Sequence, residues 1–337
     1  MDYFEKDLHE SIITGDVDSV EEYLKRGLSP DHAFCSTDPS ADARLGRTLL
    51  EEAVLAGHVS VVRALARRGC DPNLKYVVHV DNYAYKLKQY TKKDRLKLSC
   101  VYRFVVKRDV DMIKELVKAG LDVNIYDDRG CTALWHAVDL QDYEMAKAMT
   151  SSPKCDVNVA DVTLLRPLHV ACLHGNVKLA SLLVRHGAMI DVIQLRGSTP
   201  LIMACKAASF DTAKLLLLNG ANPNHVGHNG HMPLSAALES CKDSRLPYLL
   251  IEAGAIVDCS TLRKCRTEKL PLLRACPDVM ERLAEISSKP HALKLQCVLS
   301  IRRALLASAG QHLHFVLKVQ QLPVPKIVQE FVLLSHI

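Results

Sequence analysis

Three histidines spaced three apart, His225, His228 and His231, come nearest in this chain to a metal set. A structural zinc site needs about four His, Cys or carboxylate donors at compatible spacing. No carboxylate or cysteine completes such a set around these three, which sit among Asn and Gly in a turn-rich stretch. The expectation is therefore no functional metal. Most of the remaining histidines recur at equivalent places, with His9, His136 and His169 near helix starts and His58 and His174 near inter-helix turns. Local hydrogen bonding is the simpler role for them. No Gly-rich phosphate loop, no Gly-x-Ser-x-Gly and no paired-carboxylate motif occurs. The chain reads as non-catalytic and without a cofactor.

The bulk composition agrees with a folded binding protein. The chain has 337 residues, 48% of them hydrophobic and only 5% aromatic, which suits helices packed through Ala, Leu and Val. No apolar run approaches the roughly eighteen residues that a spanning helix needs. The opening residues, MDYFEKDLHE, are acidic and lack the charged-then-apolar layout of a signal peptide. Twelve cysteines are scattered without any Cys-x-x-Cys, a pattern of buried thiols in a reducing compartment. The expected location is cytoplasmic, with the nucleus also open.

The elements that would carry these side chains repeat. Gly187, Gly220 and Gly254 are each followed by Ala and lie 33 and 34 residues apart, and Gly27, Gly69 and Gly120 extend the series backwards. Ahead of them run matching starts: Arg166-Pro167-Leu168-His169, Thr199-Pro200-Leu201-Ile202, Thr132-Ala133-Leu134-Trp135 and Met232-Pro233-Leu234-Ser235. Thr opens a helix through its side-chain oxygen and Pro tolerates the first turn. Gly ends the second helix in the left-handed region. The pattern resembles the ankyrin repeat over residues 5–265, with seven starts near Lys6, Thr48, Ser99, Thr132, Arg166, Thr199 and Met232. Such arrays bury a core between neighbours and bind proteins along one concave side.

Two gaps exceed the period. Gly27 to Gly69 is 42 residues and Gly69 to Gly120 is 51. The first surplus fits a polar loop at 35–46, the second an insert at 75–97. That insert holds Tyr76, Tyr83, Tyr85 and Tyr90 with seven basic residues, Lys86 and Lys88 among them, against Asp81 and Asp94. Its charge of +5 equals that of the whole chain, so the rest is neutral. Three readings stand: a solvated loop, an arm that contacts a protein substrate, and a nucleic-acid patch. The last lacks the basic fold that usually accompanies it. Trp135, the only Trp, is a further candidate contact with the Tyr and Lys residues, beside a core-packing role.

The tail is unlike the repeats. Pro290 suits a first helical turn, and Leu293, Cys297, Ile301 and Leu305 then stack every fourth residue. Leu295, Val298, Leu299 and Leu306 cover much of the rest, so the helix is apolar nearly all round and needs cover on more than one side. Ala292-Leu293, Cys297 and Ile301 resemble the elongin-binding box of the SOCS-box families. Leu322-Pro323-Val324-Pro325, with Phe331 behind it, resembles the cullin box, where the family commonly has Tyr in place of Phe331. The chain is thus similar to the ankyrin-repeat and SOCS-box family. The fold implied is all-α: an ankyrin solenoid of about seven helix-turn-helix repeats, a bridging partial repeat at 266–289, and a small three-helix SOCS box at 290–337. The resemblance implies a substrate receptor of a cullin–RING ubiquitin ligase, with elongin C, elongin B and cullin 5 with its RING subunit as partners and a protein substrate. A membrane is not expected. The alternative is an ankyrin scaffold whose last helix merely caps the array.

Overall fold

The computed structural model describes residues 3–34, 48–73, 108–127, 129–228, 230–240 and 244–257, together with Glu281 and Ile301. It falls into two compact units, Met1–Val159 and Ala160–Ile337. No strand occurs among the described residues, only the isolated bridges Ala33–Thr48 and Tyr126–Thr132. The insert at 75–97 and the tail motifs lie outside the described residues, except that Ile301 is helical and half-buried.

In the first unit the helices are α1 (Tyr3–Thr14), α2 (Val17–Lys25), α3 (Leu49–Ala56), α4 (Val59–Arg67), α5 (Val110–Lys118), α6 (Ala133–Asp139) and α7 (Tyr143–Thr150). Here α1 packs on α2 and α3, α4 on α2, α3 and α5, and α7 on α5 and α6. In the second they are α8 (Pro167–Leu173), α9 (Val177–Arg185), α10 (Pro200–Lys206), α11 (Phe210–Leu218), α12 (Pro233–Ser240) and α13 (Arg245–Glu252). The first helices α8, α10 and α12 stack in one layer, and α9, α11 and α13 in another. The helix α10 is therefore flanked by α8 and α12 and backed by α11. This is why Pro200 to Cys205 are buried without a polar stripe. The second helices have one wet side: Leu179, Ala180, Leu182 and Leu183 go in, while Lys178 and Arg185 stay at the surface. Each fully buried Leu contributes roughly 1.5–3 kcal/mol.

Caps set the boundaries. Thr48, Thr132 and Thr199 accept from the backbone N–H groups of Glu51, Trp135 and Ile202. At the second helices Asp16, Asp109, Asp142 and Asn176 do the same. The series of helix-ending glycines, from Gly27 to Gly254, adopts positive φ throughout, as the spacing required.

The sequence reading did not find the asparagine ladder that joins successive repeats. Asn124 donates from Nδ2 to the Lys154 carbonyl at 2.7 Å and accepts from the Asp156 N–H at 2.8 Å. Asn224 repeats this toward the Gly254 carbonyl (2.9 Å) and the Ile256 N–H (2.7 Å), and Asn73 toward Gly120 and Asp122.

Candidate protein-interaction surface

Between one repeat's second helix and the next repeat's first, the chain forms a tight hairpin-like finger. In the second unit the Asp161 carboxylate accepts N–H groups from Thr163 and Leu165, both at 2.8 Å, and Asp161 N–H closes on the Leu165 carbonyl. One repeat later Gln194 replaces Asp161: its Oε1 accepts from the Arg196 N–H, and its own N–H closes on the Ser198 carbonyl. Leu195 N–H reaches the Thr163 carbonyl at 2.9 Å, which laces one finger to the next. Gly197 is obligatory, because a Cβ there would lie 2.6 Å from the His228 backbone N and from its ring.

The finger tips carry apolar side chains into solvent. Val162 is 68% exposed, Leu195 61% and Val226 56%, with Leu164 and Ile193 also exposed. Val162 and Leu195 occupy one repeat position, Ile193 and Val226 another, so the side chains form a row across consecutive fingers. Turn segments are ordinarily polar; an exposed apolar row marks a surface built to be covered by a partner. The signal was present in the sequence, as Val and Leu in turn segments, but it carries no motif.

The three spaced histidines do not gather around a cation. His225 donates Nε2–H to the Gly197 carbonyl at 3.1 Å, His228 lies over Gly197, and His231 pairs with Glu239 at 3.8 Å. His58 donates to the Ile13 carbonyl at 2.7 Å. His169, fully buried, accepts the Arg166 N–H on Nδ1 and donates Nε2–H to the Val192 carbonyl. Burial pushes its imidazole down to about 4, so it is neutral at physiological pH. Among the described residues one group, Asp127, Cys131 and His136, brings three metal-ligand types within 4.8 Å.

Cys70, Cys131, Cys155, Cys172 and Cys205 are thiols outside any disulfide. Burial, helped by Asp31 and Asp71, pushes Cys70 up to about 11; burial and Asp156 push Cys155 to about 12, and Cys172 goes up as well. None of these three is a thiolate at neutral pH. Trp135 lies in the core at 8% exposure, its ring edge-on to His136 at 5.4 Å. Tyr76, Tyr83, Tyr85, Lys86, Lys88 and Tyr90, and the tail residues Ala292, Leu293, Cys297, Leu322, Pro323, Val324, Pro325 and Phe331, lie outside the described residues. No described helix is long and apolar enough to cross a membrane.

The family model for ankyrin repeats in three copies matches residues 155–227, and the single ankyrin repeat matches residues 45–76. The chain is similar to the I-Kappa-B like protein C2 of Microplitis demolitor bracovirus (isolate Webb), 31% identical over 116 residues, which is 33% of this chain and 62% of that protein. It is also similar to the Nuclear factor NF-kappa-B p105 subunit of Gallus gallus, 25% identical over 188 residues, 56% of this chain and 17% of the relative. A third relative, the Putative ankyrin repeat protein YahD of Escherichia coli (strain K12), is 30% identical over 76 residues, 23% of this chain and 37% of that one. The chain therefore spans less than two thirds of the length of each. These matches and the paired, stacked helices make residues 45–76 and 155–227 ankyrin repeats, a scaffold for protein interaction.

Proposed function

We propose that this chain is the substrate-recognition subunit of a cullin–RING ubiquitin ligase. The observation that carries the reading is the order of motifs: Ala292, Leu293, Cys297 and Ile301 at elongin-box spacing, then Leu322-Pro323-Val324-Pro325, behind ankyrin repeats. The Leu293 face would take elongin C with elongin B, and residues 322–325 would dock cullin 5 and its RING subunit. The finger row of the second unit would hold the target protein, aided by the cationic, tyrosine-bearing insert at 75–97. The chemistry is proximity. A bound target's lysines are raised in effective concentration near a charged conjugating enzyme, with no bond-making group supplied by this chain.

The test is co-purification. Replacing Leu293 and Cys297 with Asp should remove elongins while the repeats stay folded by circular dichroism. Changing Leu322, Pro323 and Pro325 to Ala should lose cullin 5 and keep the elongins. Elongin retained by the Leu293/Cys297 variant overturns the reading and leaves an ankyrin scaffold with a capping tail helix.

A further inference from the structure

We propose that Asp127, Cys131 and His136 form a zinc-class metal site that clamps the finger of the fourth repeat to its own first helix. The three ligand atoms lie within 4.8 Å of one another, with Cys131 2% and His136 7% exposed and Asp127 half-buried. Thiolate, imidazole and carboxylate together suit zinc better than a hard cation.

The backbone already aims the donors. One Asp127 oxygen accepts the N–H groups of Arg129 and Cys131, both at 2.9 Å, which turns the other toward His136 Nε2 at 2.9 Å. Asp127 N–H closes on the Cys131 carbonyl, and Tyr126 bridges to Thr132, so the finger's base is fixed beside α6. Tetrahedral zinc, with N and O at about 2.0 Å and S at about 2.3 Å, separates these ligand atoms by about 3.3–3.5 Å. The His136–Asp127 pair opens by a few tenths of an ångström, and the Cys131 sulfur closes by up to about 1.3 Å.

The donor set belongs to this repeat and not to the repeat design. The three equivalent positions read Asp161, Leu165 and Val170 in the next repeat, then Gln194, Ser198 and Met203, then Gly227, His231 and Ala236. Asp161 performs the same turn capping as Asp127 with neither thiol nor imidazole at the matching places. Turn capping accounts for the aspartate. On coordination the Cys131 thiol releases its proton to solvent, and the neutral imidazole moves its proton from Nε2 to Nδ1. The Nε2–H···Oδ2 bond gives way to two metal bonds, and water takes the fourth place.

Trp135 supplies a local reporter, as the only Trp in the chain with its ring 5.4 Å from His136. The full chain, metal-free in a phosphine reductant, is titrated with Co2+. The expected result is a thiolate-to-cobalt charge-transfer band and quenching of Trp135 that saturate together at one equivalent and are reversed by Zn2+. Cys131→Ser and His136→Ala should each weaken the quenching by at least about 10-fold, with Cys131→Ser serving as the conservative variant whose fold is checked by circular dichroism. Wild-type protein that shows neither signal at one equivalent overturns the site. So does a folded Cys131→Ser variant that quenches as the wild type does.

Discussion

The two units use one scaffold for two kinds of surface. On Met1–Val159 the described ion pairs include Arg63 and Lys118 on Glu115 and Arg108 on Asp142, and His9, His32 and His136 face Glu52, Glu5 and Asp127. On Ala160–Ile337, His231 faces Glu239, and Val162, Leu164, Leu173, Ile193, Leu195, Val226 and Ile256 stand exposed, against Phe4, Ile13, Tyr126 and Leu140 in the first unit. The first unit is also the one whose period is broken by surplus sequence at 35–46 and 75–97, whereas the second keeps a spacing of 33 or 34. Exposed ion pairs contribute little stability and are screened by salt. A row of apolar tips, by contrast, is only useful when covered. The difference is one of degree: the described residues of the second unit expose more apolar side chains, and those of the first carry more charge pairs.

The comparison breaks most directly at the finger tips. Leu195→Asp combined with Val226→Asp should lower target capture at least about 100-fold, since apolar anchors at an interface centre are worth about 2 kcal/mol or more each. Both side chains are solvent-exposed, so the melting temperature should hardly move. The counterpart on the first unit, Arg63→Ala with Lys118→Ala, should leave capture within about 2-fold. Quantitative affinity capture with mass spectrometry reads both. Equal losses in the two variants would erase the division of labour.

Acid should act on the second unit first. The folded His169 titrates near 4, below its ordinary value of 6.5, because burial disfavours the cation. The unfolded chain therefore binds a proton that the folded chain refuses between these values, so stability is full above pH 6.5 and falls as the pH drops toward 4. One proton costs about 1.4 kcal/mol per pH unit, or about 2 kcal/mol between pH 6.5 and 5. Urea midpoints at pH 7, 6 and 5 should show this slope in wild type and a flatter one in His169→Gln; parallel slopes would contradict the assignment. In the first unit Glu115 loses its contribution lower down. Lys118, and Arg63 beside it, hold its carboxyl below the ordinary value, so its stabilisation is present above that value and disappears only as pH falls through the depressed one.

What the sequence made legible was whatever a period fixes. Thr48, Thr132 and Thr199 were readable as caps, and Gly187, Gly220 and Gly254 as left-handed helix ends, because each is a local backbone demand answered by one residue type. The stacked helix pairs were implied by the resemblance to the ankyrin repeat that these residues carry. The finger row was not legible, since Val162, Leu195 and Val226 have no chemistry of their own and matter only through shared exposure. His225, His228 and His231 share a segment, yet two of them press on Gly197 of the previous finger and one turns to Glu239. The Asp127, Cys131 and His136 group is held together by a turn that sequence separation does not reveal.

The scaffold itself should prove indifferent to the division. Asn124→Ala removes two hydrogen bonds between repeats in the first unit, and Asn224→Ala two in the second. At about 0.5–1.5 kcal/mol for each bond, discounted for partial exposure, each variant should lose roughly 1–2 kcal/mol. Hydrogen exchange resolved by peptide would place each loss in its own unit. A large loss from one and none from the other would mean that the ladder supports only half of the chain.

The smallest effect sits in the turns between paired helices, where one residue takes positive φ before the second helix's cap. Gly15, Gly57 and Gly175 do so freely, but Arg108, Gln141 and Ala208 are held at φ of 53–56°. A side chain in that region costs about 1–2 kcal/mol. Gln141→Gly removes the strain while adding about 0.5–1 kcal/mol of unfolded-state entropy, so the exposed turn of the first unit should gain only about 0.5 kcal/mol. The reverse change in the second unit regains that entropy term but adds a close contact to the strain. Gly175→Ala would strain the backbone and press its new Cβ to 3.1 Å from Ser209 Cβ, whose hydroxyl donates to the Gly175 carbonyl. Denaturant midpoints should therefore rise slightly for Gln141→Gly and fall for Gly175→Ala. A fall for both would show that Gln141 makes contacts at the turn worth more than its backbone strain.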